Sequence, residues 1–422
     1  MQSGIPGGSS GLKREIGLFG ATALGIGAII GSGIFIVTGI VAGIAGPAMI
    51  VSVIIAGAIA VFSAMSVAEL GAYLPEEGGT YAYAQKLISP FAGFIAGWIW
   101  IFSNIFVGAA VSLGFAYYFV TIFPAVPVKI IAVVICLVFI FINYIGLKES
   151  VLFNNILVTA KVLILVFFVA FGLGFFHPGN FIPFTPPQGS LGILSGAALI
   201  FFAYTGFARV TIMAEEVKDP EKTIPRSIYL ALGISTVIYL LVSIVAIGIA
   251  GTPVLAQSGS PLADAIGSTG SSGAVLLISL GAMIATASVL LTTIMGISRI
   301  VFSMARNQDL PPLFDRIHPV FRTPHYAIAI TGACMIAALM LADLAMVVSV
   351  STFAMLVFYL IANIAALRLP REHRRYPSWI PATGVLSCIG LIAFLTPVSW
   401  VIGCIGLLIG GSWFFFHKRA IS

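Results

Sequence analysis

Charged side chains are scarce in this sequence. Asp, Glu, Lys and Arg make up 8% of its 422 residues against 60% hydrophobic residues, and the mean hydropathy is +1.13. Soluble globular domains carry roughly 25% charged residues, so this composition excludes a soluble globular domain. The apolar stretches are long enough to cross a bilayer, which takes about 20 helical residues. The sequence therefore predicts an all-α polytopic membrane protein.

Motifs of enzyme chemistry are lacking as well. The four cysteines, Cys136, Cys334, Cys388 and Cys404, lie in apolar segments and show no metal-site spacing. No phosphate-binding, metalloprotease or serine-hydrolase motif occurs. An enzyme within the membrane would need several polar catalytic groups in its spans, where we find only Lys161. We therefore expect no catalysis, no metal and no cofactor.

Turn signals, chiefly prolines and Gly-Pro or Gly-Gly pairs, divide the chain into twelve predicted spans. The boundaries of these spans carry an uncertainty of several residues. The predicted spans cover about 15–40, 45–71, 91–119, 129–147, 151–175, 191–214, 226–250, 273–305, 325–342, 345–367, 379–396 and 399–416.

The positive charges predict how these spans are oriented. With the N-terminus inside, every Lys and Arg except Lys129 and Lys161 falls on the cytoplasmic side or at its edge. Cytoplasmic loops of membrane proteins carry such an excess. We therefore expect a multi-pass protein of the plasma (inner) membrane with both termini cytoplasmic. The net charge of +6 then reflects topology, and we expect no nucleic-acid partner.

Two spans contain helix-breaking residues at mid-membrane depth. Gly25–Phe35 reads GIGAIIGSGIF in span 1, and Phe201–Phe207 reads FFAYTGF in span 6. Each glycine in a helix interior costs about 1 kcal/mol relative to alanine. We therefore predict a break at 31–33 and a second at 205–206. A break inside the bilayer frees backbone groups that lipid cannot satisfy.

The glycines of span 1, taken alone, are equally consistent with close helix packing through small-residue pairs such as Gly27 and Gly31. The second break favours a true helix break over mere close packing, because spans 1 and 6 are each the first span of a five-helix half. Interrupted segments at matching positions of two halves indicate a transporter built as an inverted repeat. The predicted division is a cytoplasmic tail (1–13), a first repeat (14–175), an extracellular loop (176–190), a second repeat (191–367), and helices 11 and 12 with a cytoplasmic C-terminus (368–422).

Five segments together resemble the amino acid–polyamine–organocation superfamily, and the resemblance covers nearly the whole chain. They are GIGAIIGSGIF (25–35), EEGGTYAYA (76–84), FFAYTGF (201–207), EEVKDPEKTIPR (215–226) and RNQDLP (306–311). The resemblance implies a LeuT-like fold. In that fold helices 1–5 and 6–10 form the 5+5 inverted repeat, and helices 1 and 6 are broken at mid-membrane.

The resemblance also implies a substrate site built mainly from backbone groups. The amides of Ser32 and Gly33, with Gly31, would bind a carboxylate. The carbonyls that would accept from an ammonium group belong to Ile29 or Ile30, Phe202, Ala203 and Thr205, and Phe202 would also close the pocket as a gate. Asn104 in span 3 is a further candidate for the pocket, although a helix–helix hydrogen bond explains it equally well.

The predicted substrate is a small or apolar neutral amino acid. No Asp or Glu lies at mid-membrane depth in spans 1, 3, 6 or 8, which disfavours a cationic substrate. Ala208 stands where the polyamine and basic-amino-acid exchangers of the superfamily carry a gating glutamate. This departure argues against an exchange of the arginine–agmatine type.

Lys161 lies ten residues past the start of span 5, about 15 Å from the membrane edge. A lysine there costs at least ~2.5 kcal/mol unless it is paired, neutral or able to snorkel. In some proton-coupled prokaryotic members of the superfamily, a lysine at this place substitutes for sodium. The resemblance then implies proton coupling through Lys161, with the Gly27 and Ile30 carbonyls and Ser288 as acceptors. Sodium is not expected.

These observations predict a secondary transporter that imports amino acids by alternating access. A proton-independent exchanger or facilitator is the alternative, and a channel is disfavoured because paired breaks indicate an occluded site. The expected partners are a small-molecule amino acid and the lipid bilayer, without an obligatory protein partner. The sequence does not identify the amino acid.

Overall fold

The computed structural model describes residues 16–74, 78–146, 151–212 and 217–421, and these are predominantly helical. Within those ranges β-structure is confined to one isolated parallel bridge, between Ile16 and Val217. The α-helices in these ranges are α1 (Leu18–Ile29), α2 (Gly33–Ala45), α3 (Met49–Tyr73), α4 (Thr80–Leu87), α5 (Pro90–Ile122), α6 (Val128–Tyr144), α7 (Val151–Gly172), α8 (Gly189–Tyr204), α9 (Arg209–Ile212), α10 (Pro220–Ala256), α11 (Pro261–Gly267), α12 (Ser272–Arg306), α13 (His325–Leu341), α14 (Leu344–Leu367), α15 (Trp379–Ala393) and α16 (Pro397–Ile421).

The helices are apolar and long, as the composition requires. Among the described residues, eight helical stretches are long and apolar enough to cross a membrane, and four apolar helices are shorter. This confirms the predicted all-α polytopic architecture. Predicted and observed bounds agree closely for long spans, as for 273–305 against α12 and 345–367 against α14.

Polar side chains fix where three of the long helices begin. Ser89, Ser271 and Asp343 precede α5, α12 and α14, and each accepts a hydrogen bond from the backbone amide three residues later, at 3.1, 3.4 and 2.8 Å. Such capping satisfies an amide that has no partner within the helix. The helix starts are therefore set locally, before any packing between helices.

The first predicted span is interrupted. Helix α1 ends at Ile29, and α2 starts at Gly33. At the junction the Ile30 amide donates to the Ile26 carbonyl (2.6 Å), and the Gly31 amide donates to the Ile29 carbonyl (2.8 Å). Two half-helices thus meet end to end in the bundle interior.

The sixth predicted span is interrupted in a different way. Helix α8 ends at Tyr204, a 3-10 turn runs from Thr205 to Ala208, and α9 follows directly. The chain here tightens rather than unwinds. A 3-10 turn keeps its backbone groups bonded three residues apart while shifting the helix axis.

Glycines bring these two interruptions into direct contact. A Cβ on Gly206 would lie 2.1 Å from the Ala28 carbonyl oxygen, and a Cβ on Gly33 would lie 2.5 Å from the Ala203 Cα. Gly27 and Gly31 also pack closely, against Val158 and Val289. The break and close-packing interpretations of these glycines therefore both apply.

The predicted orientation gives an expected labelling pattern. A Cβ on Gly179 would have no atom within 4 Å, and the Glu372 side chain is 79% exposed, so cysteine at either site would be accessible. A membrane-impermeant thiol reagent should label Gly179→Cys in intact cells, but Glu372→Cys only after permeabilisation. The unsubstituted protein gives the background from native cysteines. The reverse pattern would overturn the orientation.

Candidate substrate site

A cavity lies where the interruptions of the first and sixth spans meet. Its unfilled space, counted out to its mouth, is about 850 Å³. The sequence-predicted residues in its lining are Ile29, Gly31, Ser32, Gly33, Asn104, Phe202, Ala203 and Thr205. Ile30 is fully buried and is not among the lining residues.

The start of α2 forms one side of this cavity. Ser32, the residue before the helix, is 3% exposed, and Gly33 is its first residue. The first amides of an α-helix have no acceptor within the helix, and the helix dipole makes this end partly positive. A bound anion is the partner that such an end favours. The Gly31 amide differs from its neighbours, because it already donates to the Ile29 carbonyl.

Four residues of the cavity lining, Ile29, Phe202, Ala203 and Thr205, have backbone carbonyls that accept hydrogen bonds from hydroxyl groups. The Tyr239 hydroxyl lies 2.6 Å from the Ile29 carbonyl and 3.0 Å from the Ala203 carbonyl. The Tyr359 hydroxyl donates to the Thr205 carbonyl (2.5 Å), and the Thr205 hydroxyl donates to the Phe202 carbonyl (2.9 Å). Four of the predicted acceptors therefore bond hydroxyl groups. A carbonyl oxygen has two lone pairs, so each can accept a second hydrogen bond.

The sequence analysis did not single out the two tyrosines that bond these carbonyls. Tyr239 on α10 and Tyr359 on α14 are both fully buried. A buried tyrosine hydroxyl usually finds a hydrogen-bond partner. A tyrosine in the middle of an apolar span was therefore the available signal. The sequence alone could not say which carbonyl each hydroxyl reaches, because that depends on how distant helices pack.

Replacing Tyr239 with phenylalanine should weaken substrate binding about tenfold, because the Ile29 and Ala203 carbonyls would lose the hydroxyl that holds the two interruptions together. Tyr118→Phe is the matched control, since Tyr118 is also fully buried and donates to a carbonyl (Phe35, 2.7 Å) away from the junction. Both variants should lose about 1 kcal/mol of stability. Equal binding by the two variants, measured by isothermal calorimetry, would contradict the role of Tyr239.

Asn104 lies in the cavity lining, and its hydrogen bond is not the one between helices that the sequence offered as the alternative. Its amide nitrogen donates to the Trp100 carbonyl of its own helix (2.8 Å), and the residue also lines the cavity. The remainder of this wall is largely apolar, with Val289 from α12 and Met355 and Phe358 from α14. An apolar ligand side chain would be well accommodated against it.

Arg209 is a third residue that the sequence analysis did not assign to the cavity, because its position in the chain puts it at the predicted cytoplasmic edge. It lines the cavity and donates to the hydroxyls of Thr292 (2.7 Å) and Thr293 (3.3 Å) on α12. The Thr292 hydroxyl lies 3.1 Å from the Ser288 carbonyl. These bonds connect α9 to α12 one helical turn from Ser288.

The cavity extends along the bundle to the start of α4. Gly78, Gly79, Thr80 and Tyr81 contribute to its lining there. This segment follows α3 on the side that the charge distribution predicts to be cytoplasmic. The Tyr81 hydroxyl donates to Asp309 (2.8 Å), which fastens α4 to the segment that follows α12. Residues 75–77, including Glu76 and Glu77 of the quoted motif, lie outside the described residues.

Lys161 lies on α7, outside the cavity lining, and is 2% exposed. This burial argues against the interpretation in which its amine snorkels to the surface. Val158, one turn before it, covers Gly27 of α1, and Ile164, one turn after it, covers Gly281 of α12. Residues three apart share a helix face. Lys161 therefore faces the region between α1 and α12.

Ser288 lies on that same stretch of α12. Its hydroxyl donates to the Ala285 carbonyl of its own helix (3.1 Å), so the oxygen lone pairs point away from that bond. Such an oxygen can accept a hydrogen bond from a cation. The structure thus places Gly27 on α1, Lys161 on α7 and Ser288 on α12, and α7 packs against both of the other helices. Ile30 lies in the interruption directly after α1.

The chain is similar to known transport proteins along most of its length. The family described as amino acid permease matches residues 16–418. A branched-chain amino acid permease of Bacillus subtilis is 33% identical over 98% of this chain and 95% of its own, and a methylthioribose transporter of the same organism is equally similar over the same shares. A vacuolar cationic amino acid transporter of Arabidopsis thaliana is 31% identical over 81% of this chain and 61% of its own.

Proposed function

The chain belongs to the amino acid permease family, and on that premise we propose that it imports small or apolar neutral amino acids by proton-coupled alternating access. The family and these relatives are named as transporters rather than enzymes, which confirms the expectation that this protein is a transporter and not an enzyme. The chain is accordingly a membrane protein of amino acid transport.

The observation that carries the proposal is the pairing of opposite backbone dipoles across one cavity. The amide end of α2 would hold an anion, while the carbonyls of Ile29, Ala203 and Thr205, which belong to lining residues, would accept from a cation. An α-amino acid carries a carboxylate and an ammonium on neighbouring atoms. Backbone groups can hold both without a charged side chain, as in other transporters with interrupted helices.

The cavity wall supports a neutral, apolar side chain on the substrate. Val289, Met355 and Phe358 would pack against it, and Phe202 would cover it. No Asp or Glu occurs in the lining formed by the described residues, so a cationic side chain would lack a counter-charge there. One relative is named a branched-chain amino acid permease, which agrees with a neutral, apolar substrate. Two others are named for methylthioribose and for cationic amino acids, so these compounds are the competitors to test.

We assign proton coupling to Lys161 by its location. A buried amine between α1 and α12 is stable as a cation only while carbonyl and hydroxyl acceptors surround it. The Gly27 and Ile30 carbonyls and the Ser288 hydroxyl are the acceptors of this proposal. If motion of α1 changes that environment, proton release and conformational change become linked, because the proton binds one state better than the other.

The proposal places the termini in the cytoplasm and gives the fold twelve spans in a 5+5 inverted repeat plus two further helices. The interruptions at Ile30–Ser32 and Thr205–Ala208 support it, since each opens a half of the chain. The cavity reaches α4, on the predicted cytoplasmic side, and Phe202 and Arg209 lie along it. We propose that these two residues close and reopen that path during the cycle.

A competition binding screen on purified protein tests the substrate assignment. The twenty amino acids and methylthioribose would each compete against a labelled branched-chain amino acid. Neutral apolar amino acids should compete best, and lysine and arginine should compete at least tenfold less well. Preferential binding of methylthioribose or of basic amino acids would contradict the proposed substrate class.

Uptake measured in liposomes distinguishes proton-coupled import from the alternative, a proton-independent exchanger or facilitator. Uptake that rises with an inward proton gradient and ignores sodium is expected of the proposed symporter. An exchanger would instead require amino acid inside the vesicles, and a facilitator would never accumulate substrate above the external concentration. Either result would replace the symport mechanism while leaving the substrate site intact.

A further inference from the structure

A second large cleft opens on the outside of the bundle, away from the substrate cavity. It lies between α5, α13 and α16 beside the end of α12, and its unfilled space, counted out to its mouth, is about 1330 Å³. Its lining is almost wholly apolar and includes Trp98, Ile105, Cys334, Leu408 and Trp413. Nothing in the transport mechanism above makes use of it.

Water is a poor occupant of this cleft. Three polar donors of its lining are already bonded within the protein: the Trp98 indole to the Gly406 carbonyl (2.8 Å), the Trp413 indole to the Asp309 carbonyl (3.0 Å), and the Thr331 hydroxyl to the Ala327 carbonyl (2.7 Å). The other polar side-chain groups of the lining are the Ser412 hydroxyl and the Cys334 thiol. A buried water needs about three polar partners. A hydrocarbon chain needs none.

The dimensions and position of the cleft match one leaflet of a bilayer. Its lining follows α16 from Leu408 to Phe416, a rise of about 12 Å. Half of the bilayer hydrocarbon is ~15 Å thick. The surrounding face of α16 is exposed and apolar, with Leu408 69% and Phe416 71% exposed, as expected of a surface in contact with lipid.

Basic residues lie close in the chain to the lining residues at the end of α12 and at the end of α16. Arg306 ends α12 and is exposed, and Arg316 is exposed two residues beyond the lining residue Phe314. The sequence adds Lys418 and Arg419 directly after His417, which follows the lining residue Phe416. The acidic groups nearby are Asp309, which accepts from the Tyr81 hydroxyl, and Asp315, so cations are in excess.

We propose that this cleft binds one anionic phospholipid, with an acyl chain along α16 and the phosphate at Arg306 and Arg316. The apolar interior selects the chain, and the basic mouth selects the charge of the headgroup. Basic residues beside membrane helices attract anionic lipids through their charge. The site is independent of the substrate cavity and of proton coupling.

Native mass spectrometry of the delipidated full-length protein tests the proposal. The probes are phosphatidylglycerol and phosphatidylcholine with identical acyl chains. One phosphatidylglycerol should bind about tenfold more tightly than phosphatidylcholine. Cys334→Trp, which fills the cleft, should abolish that binding, whereas Cys404→Trp, also exposed on the bundle surface but outside the lining, should preserve it.

The charge component is tested with paired variants. Arg306→Gln/Arg316→Gln should bring the two lipids to near parity, whereas Lys222→Gln/Arg226→Gln, which removes two exposed cations from α10, should keep the preference. Equal binding of both lipids by the unsubstituted protein would overturn the proposal whether or not the variants fold. The proposal would also be overturned if the unsubstituted protein were a dimer and Cys334→Trp made it monomeric, because a second copy of the chain would then occupy the cleft.

Discussion

Replacing Lys161 with alanine should abolish the accumulation of substrate driven by a proton gradient, while substrate binding remains measurable. Lys161 is 2% exposed and lies outside the substrate cavity, so its removal leaves the α2 amides and the facing carbonyls in place. It would remove the group that takes up and releases the proton. Uptake into liposomes under an inward proton gradient measures this effect.

Lys129→Ala is the matched control for that experiment. Lys129 is likewise outside the predicted cytoplasmic set of basic residues, but its amine is exposed and donates to the Met340 carbonyl (2.8 Å). Its removal should leave accumulation unchanged. Accumulation by Lys161→Ala in response to pH would show that another group couples transport to protons. If transport by the unsubstituted protein required sodium, the assignment of proton coupling to Lys161 on α7 would be contradicted altogether.

Replacing Gly206 with alanine should reduce substrate binding more than tenfold and lower the melting temperature. The new Cβ would lie 2.1 Å from the Ala28 carbonyl oxygen and 2.7 Å from the Ile29 amide, both of them backbone atoms. A side chain could rotate away from such a contact, but backbone must move. Overpacking of this kind typically costs about 1–3 kcal/mol, and here it would push the two interruptions apart.

Gly233→Ala supplies the control for Gly206→Ala. Gly233 lies within α10 and has no atom within 4 Å of its Cβ position, so alanine should be neutral or stabilise the helix by up to about 1 kcal/mol. Differential scanning fluorimetry with and without amino acid would compare the two variants. Full ligand-induced stabilisation of Gly206→Ala would show that the contact between the interruptions does not shape the site.

Replacing Gly33 with valine should reduce substrate binding and the melting temperature as Gly206→Ala does, because the new Cβ would lie 2.5 Å from the Ala203 Cα.

The sequence predicted the positions of the interruptions because glycine acts locally. Helix propensity falls at each glycine whatever surrounds it; Gly31 lies in the observed gap between α1 and α2, and Gly33 begins α2. The form of the second interruption was not predictable in this way. Thr205–Ala208 remain in a tight 3-10 turn, where the Thr205 carbonyl accepts from the Tyr359 hydroxyl, a contact between residues 154 apart in the sequence.

Arg209 shows the limit of reasoning from charge position. Counting basic residues at span ends groups it with the predicted cytoplasmic cations, yet its guanidinium reaches Thr292 and Thr293 and lines the substrate cavity. The direction of a long side chain is set by neighbouring helices. Asn104 is a related case: the sequence offered the pocket or a bond between helices, whereas the residue lines the cavity and its amide bonds the Trp100 carbonyl within its own helix.

The bridge between Ile16 and Val217 has a mechanical consequence. The Lys218 amide donates to the Ile16 carbonyl (2.9 Å), so the chain just before α1 is fastened to the segment after α9. At the other end of α1, Ala28 presses on Gly206. The first half-helix is thus held at one end by the segment after α9 and at the other end by the second interruption. In the proposed transport cycle, a tilt of α1 would therefore displace both of these segments together with it.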